Sequence, residues 1–224
     1  MGAVFRLIPP LTPRISSFAP LIHVVDDDAS FRAAVARLLQ GSGYRVALYG
    51  SAHHLLEELP YTDHGCILLD VRMPGLSGLD LQARLAENGN TLPIVFLTGH
   101  GDIPMSVRAI KAGAEDFLSK PVSRKALLDA IQGALVRYEN TREQSTRLRS
   151  LRALVNTLTP RQREVFALIV AGKLNKQIAH ELGTSQRTIK AHRQAVMQKL
   201  KVRSLAEAVS IAEQLRIPAA PGSS

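Results

Sequence analysis

The chain has 224 residues, 46% of them hydrophobic, which suits one large globular domain or two small ones. Its single cysteine, Cys66, excludes an intramolecular disulfide framework, and its apolar runs are shorter than the roughly 20 residues that a membrane span requires. The formal net charge of +9 suits an acidic partner such as nucleic acid.

The positive charge is unevenly distributed along the chain. Residues 1–20 carry +2, residues 21–138 carry −2, residues 139–156 carry +2 and residues 157–224 carry +7. A small basic segment behind a near-neutral one indicates a nucleic-acid-binding end, although a solvated basic surface has the same composition. The first segment contains four prolines and no sustained apolar core, so we expect a disordered tail and not a secretory signal.

Residues 21–138 alternate between short apolar runs and segments with helical periodicity. The predicted strands are Leu21–Val25, Tyr44–Leu48, Cys66–Asp70, Pro93–Thr98 and Asp116–Lys120. Strands that are apolar throughout are typical of a parallel sheet with both faces covered. Because an amphipathic segment follows each strand, we predict a doubly wound α/β domain around a five-stranded parallel sheet.

The alternation ends after Tyr138. Residues 139–156 are mostly polar and predict a linker with helical character. Helical patterns then continue, beginning with a capping box at Thr159–Gln162 that has proline at the first helical position. We therefore predict a small all-α domain over residues 157–217 and a tail over residues 218–224.

Polar side chains lie at the carboxyl ends of the predicted strands. They are Asp26 and Asp27 after the first strand, Asp70 on the third, Thr98 on the fourth and Lys120 on the fifth. These ends share one edge of a parallel sheet, so we expect the side chains to meet there. Three carboxylates call for a hard cation such as Mg²⁺, with Mn²⁺ as an alternative, and a lysine and a hydroxyl beside it suit a phosphate group.

Four segments of this region resemble the receiver domain of bacterial two-component response regulators, in order and in spacing. The segments are Val-Val-Asp-Asp-Asp at 24–28, Leu-Leu-Asp-Val-Arg-Met-Pro-Gly-Leu-Ser-Gly at 68–78, Phe-Leu-Thr-Gly at 96–99 and Phe-Leu-Ser-Lys-Pro at 117–121. The resemblance covers residues 21–138 and implies a flavodoxin-like sheet.

The resemblance also implies a role for each pocket residue. Asp70 would be the phosphorylated residue, Asp27 would bind Mg²⁺ directly, Asp26 largely through water, and the backbone carbonyl of Arg72 would supply a further ligand.

Thr98 and Lys120 would hold the phosphoryl oxygens, and Phe117 would be the switch aromatic. The Lys120–Pro121 peptide is expected to be cis.

The spacing of Asn175–Ala179 and Arg187–His192 is that of a helix-turn-helix. At 100° per residue, Ile189, Val196 and Leu200 share the core face of the second helix. The opposite face carries Arg187, Lys190, Ala191, Gln194 and Gln198, which suit base edges, and Lys176 and Lys199 are expected at phosphates.

The segments 158–161, 175–179 and 188–192, the last beginning at Thr188, resemble the LuxR-type DNA-binding domain. Together the two halves resemble the FixJ/NarL class, and the loop Gly101–Met105 favours the FixJ branch.

The resemblance implies a cytoplasmic regulator and not an enzyme, apart from slow self-dephosphorylation. Its partners would be a sensor histidine kinase, promoter DNA and RNA polymerase, with a homodimer formed on phosphorylation or DNA binding. Activation by receiver dimerisation and activation by release of inhibition both fit the linker.

Three alternatives remain at this stage. The acidic pocket could belong to a Mg²⁺-dependent phosphohydrolase of the haloacid dehalogenase type, although Arg72 stands where such enzymes carry a second aspartate. The protein could bind DNA constitutively with a vestigial pocket. The basic end could be a helical dimerisation module that binds no DNA.

Overall fold

A computed structural model describes residues 19–59, 64–99 and 103–218. The tails predicted at residues 1–20 and 218–224 therefore lie almost entirely outside the described residues. The chain divides into two compact units, the first ending at Glu139 and the second beginning at Asn140. Within the described ranges, no helix is both long enough and apolar enough to cross a membrane.

The first unit contains the predicted five-stranded parallel sheet. Its strands are β1 (Leu21–Val25), β2 (Arg45–Tyr49), β3 (Gly65–Asp70), β4 (Ile94–Thr98) and β5 (Asp116–Ser119), in the order β2-β1-β3-β4-β5. The doubly wound fold is thus confirmed, and each predicted strand boundary is correct to within one residue.

Helices cover both faces of this sheet. They are α1 (Ala29–Gln40), α2 (Ala52–Glu58), α3 (Gly78–Glu87), α4 (Ile103–Lys111) and the first part of α5 (Arg124–Asn156), whose residues from Asn140 onward belong to the second unit. In β1, Ile22 and Val24 enter one buried apolar cluster while Val25 enters the cluster on the other face, as the alternation of side chains along a strand requires. The segment 139–156, expected to form a linker, lies within α5.

The loops after β1 and β3 are held tightly. The side chain of Asp28 accepts hydrogen bonds from the backbone amides of Ser30 (2.8 Å) and Phe31 (3.1 Å), so α1 begins immediately after the acidic pair of β1. After β3, the Gly78 amide donates to the carbonyl of Val71 at 3.0 Å. Both loops therefore hold the carboxyl ends of these strands close to a helix start.

The second unit is helical, with α6 (Pro160–Val170), α7 (Asn175–Glu181), α8 (Gln186–Lys199) and α9 (Leu205–Leu215). The predicted capping box of α6 is confirmed: the Gln162 amide donates to Thr159 Oγ1 at 3.3 Å, and the Thr159 amide donates to Gln162 Oε1 at 3.0 Å.

The start of α7 is fixed without a capping side chain. Asn175 is the first residue of the helix, and the N-cap position belongs to Leu174. The Leu174 amide donates to Gln177 Oε1 at 2.8 Å. Because a glutamine at the third helical position can reach back to the N-cap amide, no capping side chain at Leu174 is needed for that bond.

The close approach of α3 to the end of β3 predicts that Gly78 does not tolerate a side chain. A Cβ at this position would lie 2.2 Å from the backbone oxygen of Asp70. We expect Gly78→Ala to lower the free energy of unfolding by about 2 kcal/mol, because backbone has to shift to accommodate the methyl group. The four tyrosines of the chain all precede residue 139 and there is no tryptophan, so tyrosine fluorescence during urea unfolding reports on the first unit.

Gly50→Ala is the matched control, since its Cβ would meet only the Arg32 side chain, at 3.6 Å or more. An equal loss of stability in both variants would contradict the assigned close approach.

Candidate functional site

Three carboxylates meet at the carboxyl edge of the sheet. β1 and β3 are adjacent and in register, with Val25 beside Leu69, so Asp26 and Asp70 occupy neighbouring strand ends. Carboxylate oxygens of Asp26, Asp27 and Asp70 all lie within 4.8 Å of one another. Asp26 is 1% exposed and Asp70 6% exposed, whereas Asp27 faces solvent. The group offers several hard oxygen ligands and an open side, as a Mg²⁺ site requires.

Lys120 brings the positive charge that the sequence predicts. Its Nζ lies 2.5 Å from Asp26 Oδ2 and 3.3 Å from Asp70 Oδ2. The Lys120 amide donates to the carbonyl of Thr98 at 2.6 Å, which holds the end of β5 beside the end of β4. The Lys120–Pro121 peptide is cis, which confirms that prediction.

The surroundings of Asp70 disfavour its charged form. Burial raises the pKa of Asp70 and the nearby Asp26 adds to this, while the Lys120 ammonium and the Arg72 amide, 3.5 Å from Asp70 Oδ1, act in the opposite direction. A cation near Asp70 would therefore favour its ionised form.

The other predicted pocket residues lie on β4, β5 and the loop after β3. Thr98 is fully buried at the end of β4, in register with Ser119. Phe117 lies within β5, partly buried, and its ring centroid is 6.2 Å from that of Phe96. Arg72 is exposed directly after β3, and the metal contact expected of its carbonyl stays a prediction.

Two neighbours of the pocket were not predicted. The Lys120 ammonium lies 4.2 Å from the centroid of the Phe31 ring, a cation–π distance. The Arg32 guanidinium donates to the backbone carbonyl of Asp26 at 2.5 Å. The position of Phe31, three residues after the helix-capping Asp28, is the sequence signal that could have placed its ring beside the pocket.

In the second unit, α7 and α8 present the predicted polar surface. Ile189 and Val196 are fully buried, so the opposite side of α8 faces solvent. The predicted DNA-contacting residues that are exposed are Lys176, Arg187, Thr188, Lys190, Ala191, Gln194 and Gln198. Thr188 also contacts the helix cap, with its Oγ1 2.9 Å from Ser185 Oγ.

Lys199 is in a different situation. Its Nζ donates to the carbonyl of Thr157 and to Gln162 Oε1, both at 2.8 Å, so it ties the end of α8 to the capping box of α6. A phosphate contact would have to share this ammonium with protein acceptors. Lys199 therefore has a structural role in this unit, and the phosphate contact expected of it stays a prediction.

Comparisons with known proteins agree with both halves of this description. Residues 22–132 match the family model "Response regulator receiver domain", and residues 156–212 match "Bacterial regulatory proteins, luxR family". The two matches fall on the unit with the acidic pocket and the unit with the exposed α8 surface, respectively.

Several relatives match nearly the whole chain. Nodulation protein W of Bradyrhizobium diazoefficiens is 44% identical over 91% of this chain and 90% of its own length. Transcriptional regulatory protein FixJ of the same species is 40% identical over 85% of this chain and 93% of its own. The solved structure of response regulator StyR has a TM-score of 0.80 at 46% identity, covering 88% of this chain and 99% of that one. The chain belongs to the FixJ-like two-component response regulators, which join a receiver domain to a LuxR-type DNA-binding domain to control transcription.

Proposed function

We propose that Asp70 accepts a phosphoryl group from a sensor histidine kinase and that this event controls the DNA binding of the second unit. The observation that carries the proposal is the cluster of three carboxylates within 4.8 Å, with the Lys120 ammonium touching two of them. In the transfer, a bond forms between an Asp70 carboxylate oxygen and phosphorus, and the phosphorus–nitrogen bond of the kinase's phosphohistidine breaks. The electron pair stays with the imidazole nitrogen.

The donor set suits Mg²⁺, with Mn²⁺ as a substitute, since it consists of hard carboxylate oxygens at one open edge. We assign the ion's ligands to Asp26, Asp27, Asp70 and the backbone carbonyl of Arg72. When bound, the cation supplies positive charge that offsets the negative charge of the phosphoryl oxygens.

Lys120, Thr98 and Phe117 form the proposed switch. Lys120 now contacts Asp26 and Asp70, and a phosphoryl group on Asp70 would present oxygens that compete for its ammonium. The Thr98 hydroxyl would take a second phosphoryl oxygen, and the Phe117 ring would follow Thr98 by repacking beside Phe96. Asp27 faces solvent, so water can reach an acyl phosphate on Asp70, and we expect slow self-dephosphorylation. Arg72 stands where phosphohydrolases of the haloacid dehalogenase type carry a second aspartate, so we expect no faster phosphatase activity.

The output of this switch is promoter binding through α8. We assign base contacts to Arg187, Lys190, Ala191 and Gln194, and backbone contacts to Lys176 and Thr188, all of which are exposed. We propose a receiver at 21–138 and a DNA-binding domain at 157–217, acting in the cytoplasm as a homodimer that engages RNA polymerase at the promoter.

The first test replaces the acceptor. Treated with a small phosphodonor and Mg²⁺, the full-length protein should gain the mass of one phosphoryl group and shift its sizing profile, whereas Asp70→Asn should do neither. Asp129→Asn, at an exposed position of α5, is the matched control and should behave like the unchanged protein. Phosphorylation of Asp70→Asn to the same extent would overturn the assignment.

The second test concerns the raised pKa of Asp70. Because burial disfavours its carboxylate, Asp70→Asn should raise the urea midpoint at about pH 7 in the presence of a chelator. A carboxyl group whose pKa is raised in the folded state lowers the free energy of unfolding at pH values above that pKa, but not at pH values below the unfolded pKa of about 3.9. The stability advantage of Asp70→Asn should therefore shrink as the pH falls toward 4.

Added Mg²⁺ should stabilise the unchanged protein by about 2.7 kcal/mol at a hundredfold excess over its dissociation constant, and this gain shifts the comparison with Asp70→Asn in favour of the unchanged protein. Tyrosine fluorescence during urea unfolding provides the measurement. If the two midpoints coincide at about pH 7 without metal, the buried-charge explanation is wrong.

The third test distinguishes residues of the second unit that contact the DNA backbone from residues that contact base edges. With a duplex selected from a random library by the phosphodonor-treated protein, Lys176→Ala should weaken binding to all sequences and reduce the salt slope by about one counterion. Lys190→Ala and Gln194→Ala should each cost about 1–3 kcal/mol and relax preference at one base position. Lys125→Ala, on an exposed receiver helix, is the control. A uniform loss in all three DNA-surface variants would contradict the assigned geometry.

A further inference from the structure

The Lys120 ammonium has an aromatic neighbour in addition to its two carboxylates. Its Nζ lies 2.5 Å from Asp26 Oδ2, 3.3 Å from Asp70 Oδ2 and 4.2 Å from the centroid of the Phe31 ring. The side chain of Lys120 is 19% exposed, so the ammonium is largely withdrawn from water. An ammonium over a ring face is attracted to it, and the attraction grows as water is excluded.

Contacts that do not involve Lys120 fix the position of the Phe31 ring. The Phe31 amide donates to Asp28 Oδ1 at 3.1 Å, and the Arg32 guanidinium donates to the carbonyl of Asp26 at 2.5 Å, so the first turn of α1 is tied to the end of β1. The ring itself packs, partly buried, against the apolar cluster that the sheet shares with α1 and α5. The fold therefore holds the ring in place, and the ring can restrict the lysine.

A neutral ring restricts an ammonium in a way that a carboxylate cannot. Lysine carries its charge on a flexible four-carbon stem, so attraction to two carboxylates leaves the stem several ways to reach them. A further carboxylate would narrow this choice, but it would also neutralise the charge that a phosphoryl oxygen on Asp70 requires. The face of Phe31 narrows the choice and leaves the charge of Lys120 available.

We propose that Phe31 is a positioning residue for Lys120, and that its ring face holds the ammonium beside Asp70 where the oxygens of a phosphoryl group arrive. This inference rests on the proposed phosphorylation of Asp70. Ordering the lysine stem before the reaction removes an entropic cost from the transfer step. If Phe31 were a core residue only, any apolar ring of the same shape would serve equally well.

The test changes the charge distribution of the Phe31 ring and keeps its shape. Pentafluorophenylalanine, incorporated at this position alone, removes the negative potential of the ring face, and para-fluorophenylalanine weakens that potential in part. The full-length protein is treated with acetyl phosphate and Mg²⁺, and mass spectrometry follows its phosphorylation. The rate constant should fall about fivefold with pentafluorophenylalanine and less with para-fluorophenylalanine. Phe31→Tyr keeps a ring face and should react like the unchanged protein.

Two controls check that the effect is specific to Lys120. Pentafluorophenylalanine in place of Phe166, which is 2% exposed in the apolar core of the second unit, should leave the rate constant unchanged. In Lys120→Met, pentafluorophenylalanine at position 31 should cause no further fall, because the ring acts through the ammonium.

A second measurement needs neither metal nor phosphodonor. In the NMR spectrum of the untreated full-length protein, the ring current of Phe31 should place the Lys120 ammonium signal upfield of the signal of the exposed Lys125. Phe31→Leu, which keeps an apolar side chain but no ring, should remove this displacement.

Three outcomes would overturn the proposal. Equal rate constants for phenylalanine and pentafluorophenylalanine at position 31 would reduce Phe31 to a core residue, and an effect that persists in Lys120→Met would mean that the ring acts elsewhere. A Lys120 ammonium signal that is the same in Phe31→Leu would mean that the ring does not hold the ammonium. Failure of the unchanged protein to take up a phosphoryl group would instead contradict the proposed function, and the ammonium signal would still decide whether the ring holds Lys120.

Discussion

The crowding of negative charge at the end of β1 and β3 is the constraint on which the receiver depends. Three carboxylates lie within 4.8 Å of one another, and the Lys120 ammonium reaches two of them. Like charges this close in a partly buried site disfavour the ionised forms of the carboxyl groups, so a cation that enters the site is favoured. The raised pKa of Asp70 expresses the same imbalance.

Backbone register explains why so much of this site can be predicted from the sequence. A parallel sheet brings strand ends to one edge whatever the side chains are, so the order of five apolar runs already places Asp26, Asp70, Thr98 and Lys120 together. Capping residues likewise indicate where helices begin, as Thr159 does for α6. Predictions that rest on such local rules are correct to within one residue for the strands.

The features that could not be predicted depend on long side chains that cross between elements. Lys199 is a residue type that commonly contacts phosphate, yet its ammonium donates to Gln162 Oε1, 37 residues earlier in the chain. Gln82 is a polar residue on the buried face of α3, and nothing in the sequence indicates that its amide holds the end of α4. The ring of Phe31 under Lys120 is a third example. Each contact needs the relative placement of two elements, which no sequence spacing specifies.

The acidic pocket and the outer face of α8 differ in how tightly the fold constrains them. The backbone around the pocket is set by strand register and by a loop so tight that a Cβ at Gly78 would meet the Asp70 carbonyl, so the positions of its strand ends cannot change without disturbing the fold. The outer face of α8 carries exposed side chains that the core does not need, since Ile189 and Val196 anchor the helix from the other side. Under the proposed function, substitution there would alter which bases are read at little cost in stability. The fold constrains the proposed phosphoryl site much more tightly than it constrains the proposed DNA-reading face.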